Sequence, residues 1–155
     1  MSSDPLTLVV YGSPAPQGSK RPVGRDRFGR AKMIESSKAV KPWREAVKLA
    51  AIDMMAAELL MPLEGPLVAR MVFTVRKPAS APKRRRIWPA TKPDLSKLCR
   101  STEDALQEGG VFRDDGQIVE YERLVKVYPG EDDESLHIPG VRVTVRAMTD
   151  GSGEG

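Results

Sequence analysis

The sequence predicts a single small α/β (α+β) domain, in which two main helices accompany a mixed β-sheet of about four strands. Short segments with alternating apolar residues indicate the strands, and two longer segments with helical spacing indicate the helices. The order along the chain is strand, loop, helix, strand, loop, helix, strand, strand. We expect residues 1–148 to form the domain and residues 149–155 to be a disordered tail.

The N-terminal elements are a strand, a basic loop and a helix. The sequence "LTLVVYG" (residues 6–12) is rich in β-formers and is closed by glycine and proline, which favours a strand. Residues 13–33 scatter cations among glycine and proline, so we expect an irregular arm that grips phosphates, with a solvated loop as the alternative. Residues 41–62 have helical spacing, with an apolar stripe of Trp43, Val47, Ala50, Met54, Ala57 and Met61.

The middle of the chain combines a strand with a second basic loop. Residues 66–78 alternate between apolar and polar side chains, which predicts a half-buried strand. A proline-rich segment follows, and it carries four consecutive cations close to Trp88. The tryptophan could stack on a nucleic-acid base or pack back onto the core, and the sequence leaves both interpretations open.

A second helix and two strands complete the domain. Residues 95–106 place apolar side chains on one helical face, and Gly109 and Gly110 end that helix. The next strand is predicted to place Val119, Tyr121, Arg123, Val125 and Val127 on one face. The last strand is predicted to do the same with Val141, Val143, Val145 and Ala147.

The net charge of +4 conceals a division between the two parts of the chain. Residues 1–100 carry 20 Lys and Arg against 8 Asp and Glu, whereas residues 101–155 carry 5 against 13. A basic surface beside a small acidic pocket is what a metal-dependent nuclease needs, because acids alone would repel the DNA backbone. An incidental division is the alternative.

The sequence has one cysteine and one histidine, so it contains neither a disulfide pair nor a paired Cys/His zinc motif. A reducing, cytoplasmic location suits this composition. The N-terminus lacks a signal-peptide pattern, and no window is apolar enough for a membrane span, so we expect no membrane partner.

Acidic residues gather around the second helix and the loop that follows it. They are Asp94, Glu103, Asp104, Glu108, Asp114, Asp115 and Glu120. If the next strand lies alongside the helix, Asp94 at the helix start could meet Asp114 and Asp115 from the exit loop. Such a carboxylate cluster suits Mg²⁺ or Mn²⁺, which can activate water and stabilise charge on a phosphodiester. The structural alternative is a helix cap at Asp94 and a turn at Asp114 and Asp115.

The segment "KPDLSKLCRSTEDALQEGGVFRDDGQIVEYERLVK" resembles the RusA family of Holliday junction resolvases. The family pattern runs Pro-Asp-x-Asp-Asn-Leu-x-Lys, then Asp-Ala-Leu, then Asp-Asp-x-Gln-Ile/Val, then a strand that ends in Lys. Three blocks occur here in that order with compatible gaps. The residues that stand in these places are Pro93, Asp94, Leu98, Asp104, Ala105, Leu106, Asp114, Asp115, Gly116, Gln117, Ile118 and Lys126.

The resemblance implies a homodimeric, Mg²⁺-dependent endonuclease, with Mn²⁺ as a possible substitute, that resolves four-way DNA junctions by paired nicks in recombination and repair. It implies that Asp94 and Asp115 bind the metal, with Asp114 beside them and Arg100 at the catalytic site. Branched DNA is the implied partner, and phage-infected bacteria are a common setting for the family. The expected DNA-binding cations are Lys20, Arg21, Arg25, Arg27, Arg30, Lys83, Arg84, Arg85, Arg86, Lys97 and Lys126.

Two positions depart from the family pattern. Ser96 stands where the family has its second motif Asp, so the metal site loses a charge and keeps a weaker, neutral oxygen donor. Lys97 and Arg100 stand where the family has Asn and the functional Lys, and a planar guanidinium is not equivalent to an ammonium. The sequence therefore predicts an endonuclease, with a branched-DNA-binding protein of weak or no catalysis as the alternative. A protein-interaction domain with ordinary acidic turns is the third interpretation.

Overall fold

The computed structural model describes residues 4–18, 20–25, 27–35 and 38–149, without the side chains of residues 20–23 and 31–35. The elements in chain order are β1 (Leu6–Tyr11), β2 (Lys20–Arg25), β3 (Ala31–Glu35), α1 (Val40–Ala57), β4 (Leu67–Thr74), α2 (Leu95–Glu108), a 3₁₀ turn (Asp115–Gln117), β5 (Ile118–Val127) and β6 (Gly140–Ala147). Four strands form one mixed sheet in the order β1-β6-β4-β5, in which only the β4–β5 pair is parallel. The predicted fold class is confirmed. The predicted tail lies almost entirely outside the described residues.

Both helices pack on one face of this sheet and form the main core with it. One core cluster contains the buried residues of α1 and α2 together with alternate residues of β4 and β6, among them Phe73 and Val143. The Trp43 indole N–H of α1 donates a hydrogen bond to the Thr102 hydroxyl of α2 at 3.1 Å. Within the described part of the chain, neither helix combines the length and apolar character needed to cross a bilayer.

Strand β4 is buried on both faces, so the prediction of a half-buried strand is wrong. Val68, Val72 and Thr74 lie on the face away from the helices and are fully buried. The segment between β5 and β6 covers this face, and the N–H of its buried Leu136 donates to the Thr74 hydroxyl at 2.9 Å. Alternation did not reveal this, because a central strand with a covered second face tolerates polar residues that find partners.

Helix α1 ends at Ala57, earlier than the predicted end at residue 62. Its end closes through two hydrogen bonds, from the Leu59 N–H to the Ala56 carbonyl and from the Leu60 N–H to the Met55 carbonyl. Leu59 has a left-handed φ of 53°, a conformation that glycine usually supplies. The buried stripe is Val40, Trp43, Val47, Ala51 and Met55. The predicted Ala50 and Met54 are half-buried and pack against this core, whereas Ala57 and Met61 are exposed, so the prediction is wrong for the last two positions.

The basic segment 13–33 contains a β-hairpin, so the prediction of an irregular loop is wrong. Strands β2 and β3 pair antiparallel, with a register shift between Pro22 and Arg25. Gly24 and Gly29 have positive φ values of 117° and 81°, and they supply the conformations that the shift and the turn require. Proline is tolerated because both strands of a two-stranded sheet are edge strands.

Strand β5 does not keep a simple alternation. Its parallel register with β4 shifts twice, which leaves Val119 and Glu122 as extra residues. The Tyr121 hydroxyl therefore reaches α2, whereas the Arg123 guanidinium binds acidic residues on the opposite face. The prediction that Val119, Tyr121, Arg123, Val125 and Val127 share one face is wrong for this reason.

Candidate active site and nucleic-acid interface

Asp94 lies at the N-terminus of α2 and keeps its carboxylate available. It occupies the N-cap position, but its side chain makes no capping hydrogen bond. The Lys97 ammonium lies 3.9 Å from the carboxylate, and the Asp94 side chain is 55% exposed. Asp94 therefore occupies the N-cap position that the structural alternative predicts, but its carboxylate does not cap the helix.

A cleft of about 450 Å³ opens beside Asp94. Its lining consists of Pro14, Ala15, Pro16, Gln17, Gly18, Ala39, Lys92, Pro93, Asp94 and Lys97. The loop 14–18 is docked on α2, because the Gln17 N–H donates to the Lys97 carbonyl at 3.0 Å and the Ser101 hydroxyl donates to the Ala15 carbonyl at 2.7 Å. The Gln17 Oε1 atom is buried and accepts no hydrogen bond within the described residues. Gln17 could not be predicted as part of this site, since nothing in its spacing along the chain connects it to α2.

Lys126 holds the backbone that leads into Asp94. Its ammonium donates to the carbonyls of Thr91 at 2.6 Å and of Pro93 at 2.8 Å. Burial lowers the pKa of Lys126, and the nearby Asp94 carboxylate partly offsets that shift. The structure therefore gives Lys126 a positioning contact, and its predicted contact with DNA stays a prediction.

Asp115 lies near the other end of α2. Its N–H donates to the Gln107 side chain at 3.0 Å. Asp94 precedes Gln107 by thirteen positions, which is about 20 Å along an α-helix. One chain therefore does not bring Asp94 and Asp115 together, and among the described residues no three His, Cys, Asp or Glu side chains form a group that could hold a metal ion.

A compact turn presents Asp115. The Asp114 carboxylate accepts a hydrogen bond from the Gly116 N–H at 3.1 Å, and the Gln117 side-chain oxygen accepts from the N–H groups of Arg113 and Asp114 at 2.9 and 3.0 Å. The Gln117 amide also donates to two carbonyls of the loop before β4. This capping box is the turn that the structural alternative describes for Asp114, and a metal-binding role for that residue stays a prediction.

An exposed face of α2 connects the two ends. Ser96, Arg100 and Asp104 are spaced four residues apart and therefore lie on one side of the helix. Ser96 and Arg100 are exposed. Burial raises the pKa of Asp104, the charge of Asp115 adds to that shift, and Arg44 and Arg100 oppose it. Arg100 thus lies close enough to the Asp115 end of α2 to act on its acids electrostatically.

A buried carboxyl group that the sequence did not reveal lies behind these acids. Glu103 is 9% exposed, the Tyr121 hydroxyl donates a hydrogen bond to it, and the Cys99 thiol donates another at 3.2 Å. Burial raises the pKa of Glu103, and the charges of Asp115 and Asp104 add to the shift. Burial also raises the pKa of the Cys99 thiol to about 12. Only the register shift in β5 brings Tyr121 to this site, so alternation could not predict it.

The hairpin presents the first group of predicted DNA-binding cations. Arg25, Arg27 and Arg30 are exposed, while the side chains of Lys20 and Arg21 lie outside the described ones. The Arg25 guanidinium donates to the Gly29 carbonyl at 2.7 Å. The guanidinium carbons of Arg27 and Arg30 lie 5.4 and 6.0 Å from the ring centroid of Phe28, which is 72% exposed. Phe28 is not among the predicted residues, although an aromatic residue between arginines is a nucleic-acid signal.

The second basic loop presents the other group. Lys83, Arg84, Arg85 and Arg86 are all exposed. Trp88 is 54% exposed, and the Arg86 guanidinium lies 4.4 Å from the centroid of its ring. Trp88 is therefore not packed into the core, and its aromatic surface is accessible beside the cations.

Comparison with known proteins identifies a family. The family model described as "Endodeoxyribonuclease RusA" matches residues 14–146, which include α1, α2, both basic surfaces and the acids of the α2 region. No curated protein matches the chain.

Proposed function

We propose, from the premise that this chain belongs to the endodeoxyribonuclease RusA family, that it is a structure-selective endonuclease which resolves four-way DNA junctions by paired nicks. The observation that carries the proposal is the family match over residues 14–146. The geometry supports it, because the Asp94 carboxylate lies exposed beside a cleft that Lys92 and Lys97 also line.

The DNA backbone is proposed to lie on the two basic surfaces. The hairpin contributes Arg25, Arg27 and Arg30, and the second loop contributes Lys83 to Arg86. Exposed cations bind phosphates largely without regard to base sequence, through release of counterions. Phe28 and Trp88 add aromatic surfaces on which an unpaired base at a junction could stack. Selectivity for branched DNA fits such a pairing of cations with stacking surfaces better than it fits cations alone.

A homodimer is part of the proposal, because one chain holds its acids at opposite ends of α2. Among the described residues of a single chain, no group of acids, histidines or cysteines fits the Mg²⁺ or Mn²⁺ ion that the resemblance implies. If two copies of α2 pack antiparallel about a two-fold axis, the Asp94 of each protomer approaches Asp115 of the partner subunit. Each such contact between the two protomers would bring together the two carboxylates assigned to the metal. Carboxylate oxygens are suitable ligands for these ions.

The remaining residues of the site have distinct proposed roles. A bound divalent ion would supply activation of water and neutralisation of charge on the phosphate. Arg100 and Lys97 would hold the phosphate, since both lie on the first turns of α2. Lys126 would keep the backbone before Asp94 in place through its two hydrogen bonds to carbonyls.

A second candidate function rests on Ser96. This exposed residue lies on the first turn of α2, where the family pattern has a carboxylate. A hydroxyl group is a weaker ligand than a carboxylate for Mg²⁺. A junction-binding protein with weak or no catalysis is therefore the alternative.

The test is incubation of the purified protein with an end-labelled four-way junction and a matched linear duplex, in Mg²⁺, Mn²⁺ or EDTA. We expect paired, metal-dependent nicks on the junction, and their loss in Asp94→Asn and Asp115→Asn while junction binding persists. Binding without nicks, with cleavage gained in Ser96→Asp, would establish the second candidate instead. Failure to bind or cut any DNA would overturn both.

A further inference from the structure

The basic loop Lys83–Arg86 is closed at its base by one carboxylate. The Glu131 carboxylate accepts a hydrogen bond from the Ile87 N–H at 2.9 Å, and it also pairs with the Lys77 ammonium. Lys77 precedes the loop and Ile87 follows it, so Glu131 ties the two ends together. The Lys77 ammonium adds a hydrogen bond to the Arg85 carbonyl at 3.4 Å.

Asp132 fixes the last cation of the loop to the sheet. The Arg86 guanidinium lies 3.2 Å from the Asp132 carboxylate, whose side chain is 7% exposed. The same carboxylate accepts hydrogen bonds from Arg123 of β5 at 3.0 and 2.7 Å and from the Glu134 N–H at 2.9 Å. A carboxylate with this many donors does not change partners easily, because each lost hydrogen bond would leave a poorly solvated charge.

The tip of the loop remains exposed while its base is held. Lys83, Arg84 and Arg85 are all exposed. A flexible chain that carries three cations loses conformational entropy when it binds a phosphate backbone, and a loop that is already closed loses less. The contacts of Glu131 and Asp132 thus favour DNA binding through order, although their charge opposes it.

We propose that Glu131 and Asp132 are positioning residues, which hold the basic loop Lys83–Arg86 in a closed form that binds the phosphate backbone of branched DNA. The inference rests on the proposed function for the identity of the ligand. It goes beyond that function because it assigns a positioning role in DNA binding to two acids, whose charge alone would repel the phosphate backbone. These residues belong to the acidic part of the chain, yet they act on the basic part.

A purely electrostatic role and a positioning role predict opposite changes in DNA affinity when the acid is removed. This difference makes the proposal testable. An acid close to DNA that acts only through its charge weakens binding, so its removal raises affinity. An acid that closes the loop strengthens binding, so its removal lowers affinity. Asp133 provides the matched control, since it is exposed, has the same charge and makes none of the closing contacts described above.

The experiment measures binding of a labelled four-way junction by fluorescence anisotropy over a range of salt concentrations without divalent ions. We expect Glu131→Ala to raise Kd by about threefold or more and to reduce the salt dependence, because fewer cations engage phosphates together. Glu131→Gln keeps an acceptor for the Ile87 N–H, so its Kd should rise less than that of Glu131→Ala. Asp133→Ala should leave Kd unchanged or lower it. Equal tightening by Glu131→Ala and Asp133→Ala would overturn the proposal.

A second readout needs no DNA. Trypsin cleaves after Lys and Arg, so its rate of cleavage at residues 83–86 reports how far the loop opens. Glu131→Ala should be cut several-fold faster there than the wild type and Asp133→Ala, with the unfolding midpoint in urea serving to separate local from global opening. An unchanged rate of trypsin cleavage in Glu131→Ala would contradict the inference, even if the wild type binds junctions. If the wild type binds no DNA, the proposed function is contradicted. The trypsin result would still decide whether Glu131 closes the loop.

Discussion

Glu103 carries a carboxyl group into the core behind α2, and its ionisation is therefore linked to folding. Burial raises its pKa above the ordinary value of 4.5, and the charges of Asp115 and Asp104 add to the shift. A raised folded-state pKa favours the neutral carboxyl group in the native protein. The stabilisation that results is fully present below the ordinary pKa and is lost as pH rises through the raised one.

Replacement of Glu103 by Gln should remove this pH dependence. Glutamine keeps an oxygen that accepts hydrogen bonds from Tyr121 and Cys99, but it cannot ionise. We expect the free energy of unfolding of Glu103→Gln, relative to wild type, to be larger at about pH 7.5 than at about pH 4, because only the wild type loses stability as the buried carboxyl group ionises. Urea denaturation at both pH values measures this, and Glu120→Gln on the exposed part of β5 is the control. A relative stability that does not change with pH would contradict the assignment.

The hydrogen bond between Trp43 and Thr102 gives a second prediction for a single residue. Both side chains are buried, and the indole N–H has the Thr102 hydroxyl as its acceptor at 3.1 Å. Thr102→Val keeps the shape but leaves the N–H unpaired in the core. We expect the free energy of unfolding to fall by about 1–3 kcal/mol, measured in urea, whereas the exposed Thr91→Val should change it little. An equal effect of both changes would show that the hydrogen bond contributes nothing.

Among the elements, α2 was predictable and the end of α1 was not. The buried face of α2 includes Leu98, Thr102 and Leu106, and their helical spacing is visible in the sequence. The end of α1 depends on a left-handed residue, and Leu59 takes the position where glycine would have signalled it. The β2–β3 hairpin was not predictable for the opposite reason, because glycine and proline usually interrupt strands, whereas here they belong to a turn and a bulge.

The acids of the candidate site were found by their motif, but their separation was not predictable. Spacing along the chain placed Asp94 at the start of α2 and Asp115 beyond its end. It could not decide whether the exit loop folds back to the start of the helix, because that depends on tertiary contacts such as the hydrogen bond between Asp115 and Gln107. The role of Tyr121 was hidden for a similar reason, since a register shift sets its face.

The packing of α1 on α2 is close enough for a single methyl group to disturb it. A Cβ atom at Gly109, which follows α2, would lie 2.6 Å from the Ala51 Cβ and 3.0 Å from the Lys48 carbonyl oxygen. Neither atom belongs to the end of a flexible side chain, so the helices must separate. Gly109→Ala should lower the free energy of unfolding by about 1–3 kcal/mol.

The matched control for this element is Gly116→Ala. A Cβ atom there would meet only the Asp114 side chain at ordinary contact distances of 3.6 to 3.7 Å. Urea denaturation should therefore separate the two variants, with a large effect only at Gly109. Similar stabilities would indicate that the helices adjust without cost and that their contact does not fix the position of α2.

For the whole molecule, the division of charge has two different causes. Part of the acidic C-terminal region surrounds α2, where it forms the candidate site. Another part, residues 131–134, neutralises cations of the sheet and of the basic loop, including Arg70, Arg86 and Arg123. The charge pattern alone did not distinguish these roles, because only the fold shows which acids face α2 and which face the opposite side of the sheet.

The proposed dimer makes a prediction that no single chain can satisfy. If each site combines Asp94 of one protomer with Asp115 of the partner subunit, a mixed dimer of Asp94→Asn and Asp115→Asn chains has one intact site and one doubly altered site. If each site lies within one chain, every site in the mixed dimer is altered. Refolding an equal mixture of the two inactive variants should then restore about a quarter of the wild-type nicking rate in the first case and none in the second.

The assay uses the labelled four-way junction with Mg²⁺, and each variant refolded alone provides the baseline. A mixed dimer with one working site should also leave junctions nicked in one strand, because the paired cut needs both sites. Recovery with single nicks would support a site shared between protomers. Absence of recovery, in a mixture that size-exclusion chromatography shows to be dimeric, would contradict the shared site and would require Asp94 to act without Asp115.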